Sequence, residues 1–117
     1  MRRRSSNSVK IFYPRYDRDY IIETLKRKFK ELGKKYNIKL AILFGSYATG
    51  KFTASSDIDI LVVHDSKKRN LYRRLRIELN LMGIELHIYK INEYRRLKGR
   101  INKMVKGGVL LYSCDRL

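Results

Sequence analysis

The sequence has little of what stabilises secreted and membrane proteins: it holds one cysteine, Cys114, and one proline, and no long apolar run. A lone cysteine excludes a disulfide bond and a zinc-binding cysteine cluster within the chain. The longest unbroken apolar runs, 40–44 and 60–63, are far shorter than the ~20 residues that cross a bilayer, which excludes an integral membrane protein. We therefore expect a cytoplasmic protein that does not associate with membranes.

Acidic residues are also scarce. Only 11 Asp and Glu stand against 28 Lys and Arg in 117 residues, and the formal net charge is +17. Because hydrophobic residues still make up 44% of the chain, the composition is that of one globular domain with a basic surface that attracts polyanions. The segment 41–60 departs from this pattern, since it holds one basic and two acidic residues. This local reversal of sign indicates a cation site.

The order of apolar segments predicts the fold. A basic arm over 1–16 has no clear periodicity, and we expect it to be flexible, ahead of a folded domain over 17–117. Apolar side chains at helical spacing predict one helix that starts near Tyr20 and a second that runs from about Ser66 to a stop at Gly83.

Short apolar runs predict strands, and short helices follow the third of them. The predicted strands are 39–44, 57–63, 84–89 and 109–112, and the short helices are 92–97, capped by Asn92, and 101–106, after a break at Gly99. The fold class is therefore α/β (α+β): a single small domain in which helices flank a mixed sheet of about three to four strands.

Two aspartates lie in the acidic segment. Asp57 and Asp59 alternate with isoleucines on a predicted strand, so their carboxylates share one face at a spacing of about 6.6 to 6.8 Å. Like charges this close favour a hard cation between them, and Mg²⁺ prefers oxygen ligands. Glu85 on a neighbouring strand could supply a third carboxylate. Three acids can hold two Mg²⁺ ions about 3.5 to 4 Å apart for an in-line phosphoryl displacement.

A Gly-Ser turn precedes the aspartates. Gly45 and Ser46 directly follow a predicted strand, which places backbone N–H groups and the Ser46 hydroxyl to hold a phosphate. A strand, a Gly-Ser turn and then two carboxylates on the next strand predict a site for a nucleoside triphosphate and metal.

The spacing of these residues resembles a known signature. Gly45-Ser46, ten intervening residues and Asp57-Ile58-Asp59 match the Gly-Ser-x10-Asp-x-Asp pattern of the DNA polymerase β-like nucleotidyltransferase superfamily, and the flanking residues resemble its minimal, antitoxin-type branch. The resemblance implies an enzyme that transfers a nucleoside monophosphate from a nucleoside triphosphate, expected to be ATP, to a hydroxyl and releases pyrophosphate. It implies these site residues: Asp57, Asp59 and Glu85 as catalytic residues and Mg²⁺ ligands, and Gly45, Ser46, Lys51 and Ser56 as nucleotide contacts.

Two positions depart from the family pattern. The family often has Arg where this chain has Thr49, so a phosphate-facing cation is either missing or supplied by Lys51. The third acid is Glu85 where Asp is usual, one methylene longer.

The resemblance also implies a partner protein. A nucleotidyltransferase domain takes up nearly all of a chain of this length, so few residues remain to build an acceptor site. The antitoxin-type branch suggests that the partner is a HEPN-type toxin whose tyrosine this chain would modify as an antitoxin. The alternative is a basic nucleic-acid-binding module on the same fold with weak or no catalysis. Cationic runs such as 67–69 support that alternative, although such runs are usually solvated helix faces.

Overall fold

The computed structural model describes residues 17–53 and 56–114, and helices and strands alternate along them. The helices are α1 (Arg18–Lys35), α2 (Ser46–Thr49), α3 (Leu71–Leu79), α4 (Ile91–Arg96) and α5 (Lys98–Met104). The strands are β1 (Ile38–Phe44), β2 (Ile58–His64), β3 (Ile84–Lys90) and β4 (Val109–Ser113). The predicted α/β class is confirmed, and the predicted arm over 1–16 lies outside the described residues.

The four strands form one mixed sheet in the order β3-β2-β1-β4. β1 is antiparallel to both β2 and β4, whereas β2 and β3 are parallel. The end of β1 therefore lies at the same end of the sheet as the starts of β2 and β3. This topology brings the Gly-Ser turn that follows β1 close to the aspartates at the start of β2.

Both faces of the sheet are covered by helices. The face toward α1 and α3 carries the larger core, in which Phe29 and Leu75 pack against Ile60. The face toward α4 and α5 carries a smaller core that joins Leu61 to Ile101. In the described part of the chain, no helix has the length and apolar character needed to cross a membrane.

Two predicted bounds of the second long helix were wrong. α3 begins at Leu71 and not near Ser66, because the hydroxyl of Ser66 accepts a hydrogen bond from the Lys68 N–H at 3.2 Å and holds a turn there. α3 ends at Leu79, where Asn80 takes a left-handed conformation with φ of 48°. The helix therefore stops before Gly83.

The two short helices also differ from their predicted bounds. The N–H of Lys90 donates to a carboxylate oxygen of Glu93 at 2.9 Å, so α4 starts at Ile91 and the predicted cap at Asn92 is wrong. Gly99 does not break the chain, since it lies in the first turn of α5. A glycine there weakens the helix less than one in its interior.

Candidate active site

The acidic residues lie where the ends of three strands meet. Asp59 on β2 is in register with Phe44 on β1 and with Glu85 on β3, and all three positions share the sheet face that packs against α4 and α5. Asp59 is half-buried, whereas Glu85 and Asp57, the residue immediately before β2, are exposed. The structure thus places Glu85 beside Asp59 and leaves both outer carboxylates open to solvent.

A histidine contacts the central carboxylate. The Nε2 atom of His87 lies 3.4 Å from Oδ1 of Asp59, and the His87 ring packs against the ring of Phe44 with centroids 5.0 Å apart. Alternation along β3 puts His87 on the same face as Glu85. The Phe44 ring fixes the imidazole, and the imidazole in turn restricts the orientation of the Asp59 carboxylate.

Gly45 brings the turn after β1 up against Asp59. Its φ of 78° and ψ of −154° fall in a region that is essentially limited to glycine. A Cβ atom at this position would lie 2.6 Å from Oδ2 of Asp59. The backbone of the turn and the carboxylate can be this close only because position 45 has no side chain.

The short helix α2 continues this turn and is held from two sides. The Thr49 hydroxyl donates to the carbonyl oxygens of Ser46 at 3.3 Å and Gly45 at 3.4 Å. The guanidinium of Arg18 on α1 donates through Nε to the carbonyl of Tyr47 at 3.0 Å and through Nη2 to that of Ala48 at 2.8 Å. Thr49 therefore closes its own turn, and Arg18 clamps the end of α2 from the outside.

The remaining predicted nucleotide contacts are Ser46, the first residue of α2, and Lys51 and Ser56, which lie in the loop between α2 and β2. The Ser46 hydroxyl makes no hydrogen bond to the described residues, and it stands directly beside Gly45. The exposed Lys51 follows Gly50, and its N–H donates to the carbonyl of Ser46 at 3.0 Å. The Ser56 hydroxyl instead accepts from the N–H of Thr53 at 2.9 Å and so holds the loop.

The donor set fits Mg²⁺ in its chemistry. Among residues 17–53 and 56–114, no three carboxylate, imidazole or thiol side chains are already grouped as a metal site. Asp59 is nevertheless held by its contact with His87, and two exposed acids are its neighbours, Asp57 two residues earlier in the chain and Glu85 in register on β3. All three supply the oxygen ligands that Mg²⁺ prefers.

Comparison with known proteins assigns the family. The family model described as polymerase beta, nucleotidyltransferase matches residues 23–117. The chain belongs to this nucleotidyltransferase family. Protein adenylyltransferase MntA of Aphanizomenon flos-aquae is 38% identical over 78 residues, which are 62% of this chain and 49% of MntA. A Methanocaldococcus jannaschii protein, provisionally named a protein adenylyltransferase, is 39% identical over 83 residues, 68% of this chain and 89% of that protein.

This chain matches only part of several relatives, and it shares its fold with a solved structure. The chain spans about half the length of several curated relatives that it matches, MntA among them. One chain of a crystal structure described as a toxin-antitoxin with AMP-PNP aligns with a TM-score of 0.52 at 24% identity, over 78% of this chain and 75% of that chain. This last similarity is one of fold.

Arg18 was not predicted as a residue of the site. Arg18 is 29 residues from Tyr47 in sequence, and nothing in the pattern around either residue indicates their contact. The contact of His87 with Asp59 had a signal, the alternation that puts His87 on the face of Glu85, but that pattern does not tell a structural histidine from one at the site.

Proposed function

We propose that this nucleotidyltransferase transfers AMP from ATP to a hydroxyl group held by a partner protein and releases pyrophosphate. The observation that carries the proposal is the position of Asp59, between the Gly45 backbone and Glu85 at the open end of the sheet. Its relatives are named protein adenylyltransferases, which favours ATP as the donor and a protein side chain as the acceptor.

Different residues of the site would bind the metal and the triphosphate. Asp57, Asp59 and Glu85 would hold Mg²⁺, which when bound neutralises charge on the triphosphate and on the leaving pyrophosphate. The turn at Gly45 and Ser46 binds the triphosphate through backbone N–H groups and a hydroxyl, with Lys51 as the nearest cation along the loop. Ser56 supports the loop that carries Lys51.

The transfer itself is a displacement at the α-phosphorus. The acceptor oxygen forms a bond to the α-phosphorus, the bond from that phosphorus to the bridging oxygen of the β-phosphate breaks, and pyrophosphate leaves with the bond electrons. Glu85 is exposed and in register with Asp59, which supports its carboxylate as the group that takes the proton of the acceptor hydroxyl.

The acceptor is best supplied by another protein. Asp57 and Glu85 are exposed at the open end of the sheet, which leaves space for a side chain from a partner to approach the α-phosphate. A solved chain of the same fold is part of a toxin-antitoxin structure with AMP-PNP. Together with the resemblance to the antitoxin-type branch, this supports a HEPN-type toxin as the partner and a toxin tyrosine as the acceptor.

Radiolabel transfer tests the proposal. The purified chain is incubated with Mg²⁺, α-labelled ATP and the product of the neighbouring gene, and we expect label on that partner. The double variant D57N/D59N should reduce labelling by at least about 10³-fold, because two of the three proposed metal carboxylates are lost. D65N, which neutralises an exposed acid at the far end of β2, is the matched control and should label normally. Full labelling by D57N/D59N would exclude the metal assignment.

A further inference from the structure

A cleft rich in lysine lies at the other end of the sheet from the carboxylates. It has a volume of about 500 Å³ and lies between the turn that precedes β1 and the segment that follows β2. Its lining includes Lys34, Lys35, Lys67 and Lys68, with Asp65 as the one acid. β1 runs from this cleft to the candidate active site, a separation of roughly 20 Å at the usual rise of a strand.

Hydrogen bonds between the two segments build the walls of the cleft. The N–H of Asp65 donates to the carbonyl of Asn37 at 3.0 Å, and the Asn37 side-chain amide donates to the carbonyl of Asp65 at 3.2 Å. Asn37 has a φ of 50°, a left-handed conformation that asparagine tolerates better than most residues. The cleft is therefore preformed by the fold.

The ammonium groups of the cleft are only partly neutralised. Lys35 pairs with Glu78, and the Nζ atoms of Lys35 and Lys68 each lie 5.4 Å from the centre of the Tyr36 ring. Within the described residues, Lys34, Lys67 and Lys68 have no ion pair. Like charges gathered in one cleft repel one another, and an anion with several charged oxygens relieves that repulsion.

We propose that this cleft binds backbone phosphates of a nucleic-acid strand. The cations continue beyond both rims of the cleft, since exposed Lys30 lies one turn before Lys34 on α1 and exposed Arg69 follows Lys68. Several exposed cations in and next to the cleft match the repeated charge of a phosphodiester chain better than they match a single small anion. The site is separate from the triphosphate site, so a strand and a nucleotide can be bound together.

Fluorescence anisotropy with a labelled single-stranded RNA tests this inference, and a single-stranded DNA of the same sequence serves as a second probe. The test variant is K67Q/K68Q, because the Lys67 and Lys68 side chains form no hydrogen bond within the described residues and their loss should leave the fold intact. The matched control is K98Q/K103Q, which removes the same charge from exposed positions on α5.

We expect K67Q/K68Q to weaken RNA binding at least about tenfold. The slope of log affinity against log salt, which is negative, should become less steep by about 1.4. The control K98Q/K103Q should weaken RNA binding less than about threefold. Equal losses in the two variants, or no binding by the unchanged protein, would overturn the proposal. Loss of inorganic phosphate binding in K67Q/K68Q, with RNA binding unchanged, would overturn it too, since the cleft would then be a small-anion site. Label transfer to the partner protein should stay normal in K67Q/K68Q, which separates this test from that of the proposed function.

Discussion

The backbone at Gly45 lies close to the Asp59 carboxylate, and a substitution that adds one methyl group at position 45 tests this contact. We expect Gly45→Ala to destabilise the protein by about 2 to 4 kcal/mol, because alanine at φ of 78° and ψ of −154° is strained and its Cβ would lie 2.6 Å from a carboxylate oxygen. Urea unfolding measures the loss, and labelling of the partner should fall sharply as the turn moves away from Asp59.

Gly50 offers a control with a positive φ and no clash. Its φ is 81°, and apart from its two chain neighbours no atom of the described residues lies within 4 Å of the position that a Cβ would occupy. Gly50→Ala should therefore cost only about 1 kcal/mol, the ordinary penalty of a left-handed conformation. Equal losses of stability in the two variants would mean that the approach of Gly45 to Asp59 contributes nothing.

At the scale of elements, Arg18 connects α1 to the turn that binds phosphate in our proposal. Its side chain donates to two carbonyl oxygens at the end of α2. We expect Arg18→Ala to lower stability by about 1 to 2 kcal/mol and kcat/KM for nucleotide transfer by about tenfold or more. Arg18→Lys keeps the charge but loses the planar fork, so it should restore little activity.

Lys26→Ala is the control for Arg18, since Lys26 is an exposed cation on the same helix. Its removal should leave both stability and activity within error of the unchanged protein. If Arg18→Lys were fully active, Arg18 would act through its charge alone and not by positioning α2.

Glu78 connects α3 to the end of α1. Its carboxylate accepts hydrogen bonds from Lys35 and from the Tyr36 hydroxyl, the latter at 3.0 Å, and these bonds lower the pKa of Glu78 below its ordinary 4.5. Because ionised Glu78 is favoured in the folded state, its stabilisation is present above pH 4.5 and is lost as the pH falls through the lowered pKa.

Melting temperatures measured against pH test this connection between α1 and α3. Glu78→Gln should melt below the unchanged protein at neutral pH, and the difference should shrink as the pH falls below 4.5. Glu23→Gln, at an exposed position of α1, should differ little at any pH. A constant difference for Glu78→Gln down to acid pH would mean that its ionisation is not coupled to folding.

Features that depend on a short stretch of sequence could be predicted, and contacts between distant stretches could not. The alternation around Asp59 and the Gly-Ser turn are contained in short stretches, so the four strands were predicted to within one residue at each end, but Asp57 lies just before β2 and not on it as predicted. The start of α3 was not, because a turn at Ser66 competes with the apolar periodicity that continues into the helix. The contact of Arg18 with α2 could not be predicted from the sequence, since it depends on how α1 packs against the sheet.

At the scale of the whole molecule, the net charge of +17 is the dominant electrostatic fact. The described residues contain three close pairs of opposite charge, and one of these is the contact of His87 with Asp59, which is an ion pair only if the histidine is protonated. So few pairs leave most cationic side chains of the described residues without an opposite charge, and these side chains repel one another. Repulsion therefore opposes folding over the entire surface.

Screening of that repulsion gives a prediction for the intact chain. Raising NaCl from about 0.01 M to about 0.15 M shortens the Debye length from about 30 Å to about 8 Å, so cations on different helices stop repelling one another. We expect the melting temperature to rise by about 4 to 8 °C for each 1 kcal/mol of repulsion removed. Calorimetry measures the rise, and the less charged variant K98Q/K103Q should show a smaller one. A melting temperature that falls with salt would mean that attraction between opposite charges outweighs repulsion in this fold. The clustered lysines of the cleft would then be stable together without a bound anion.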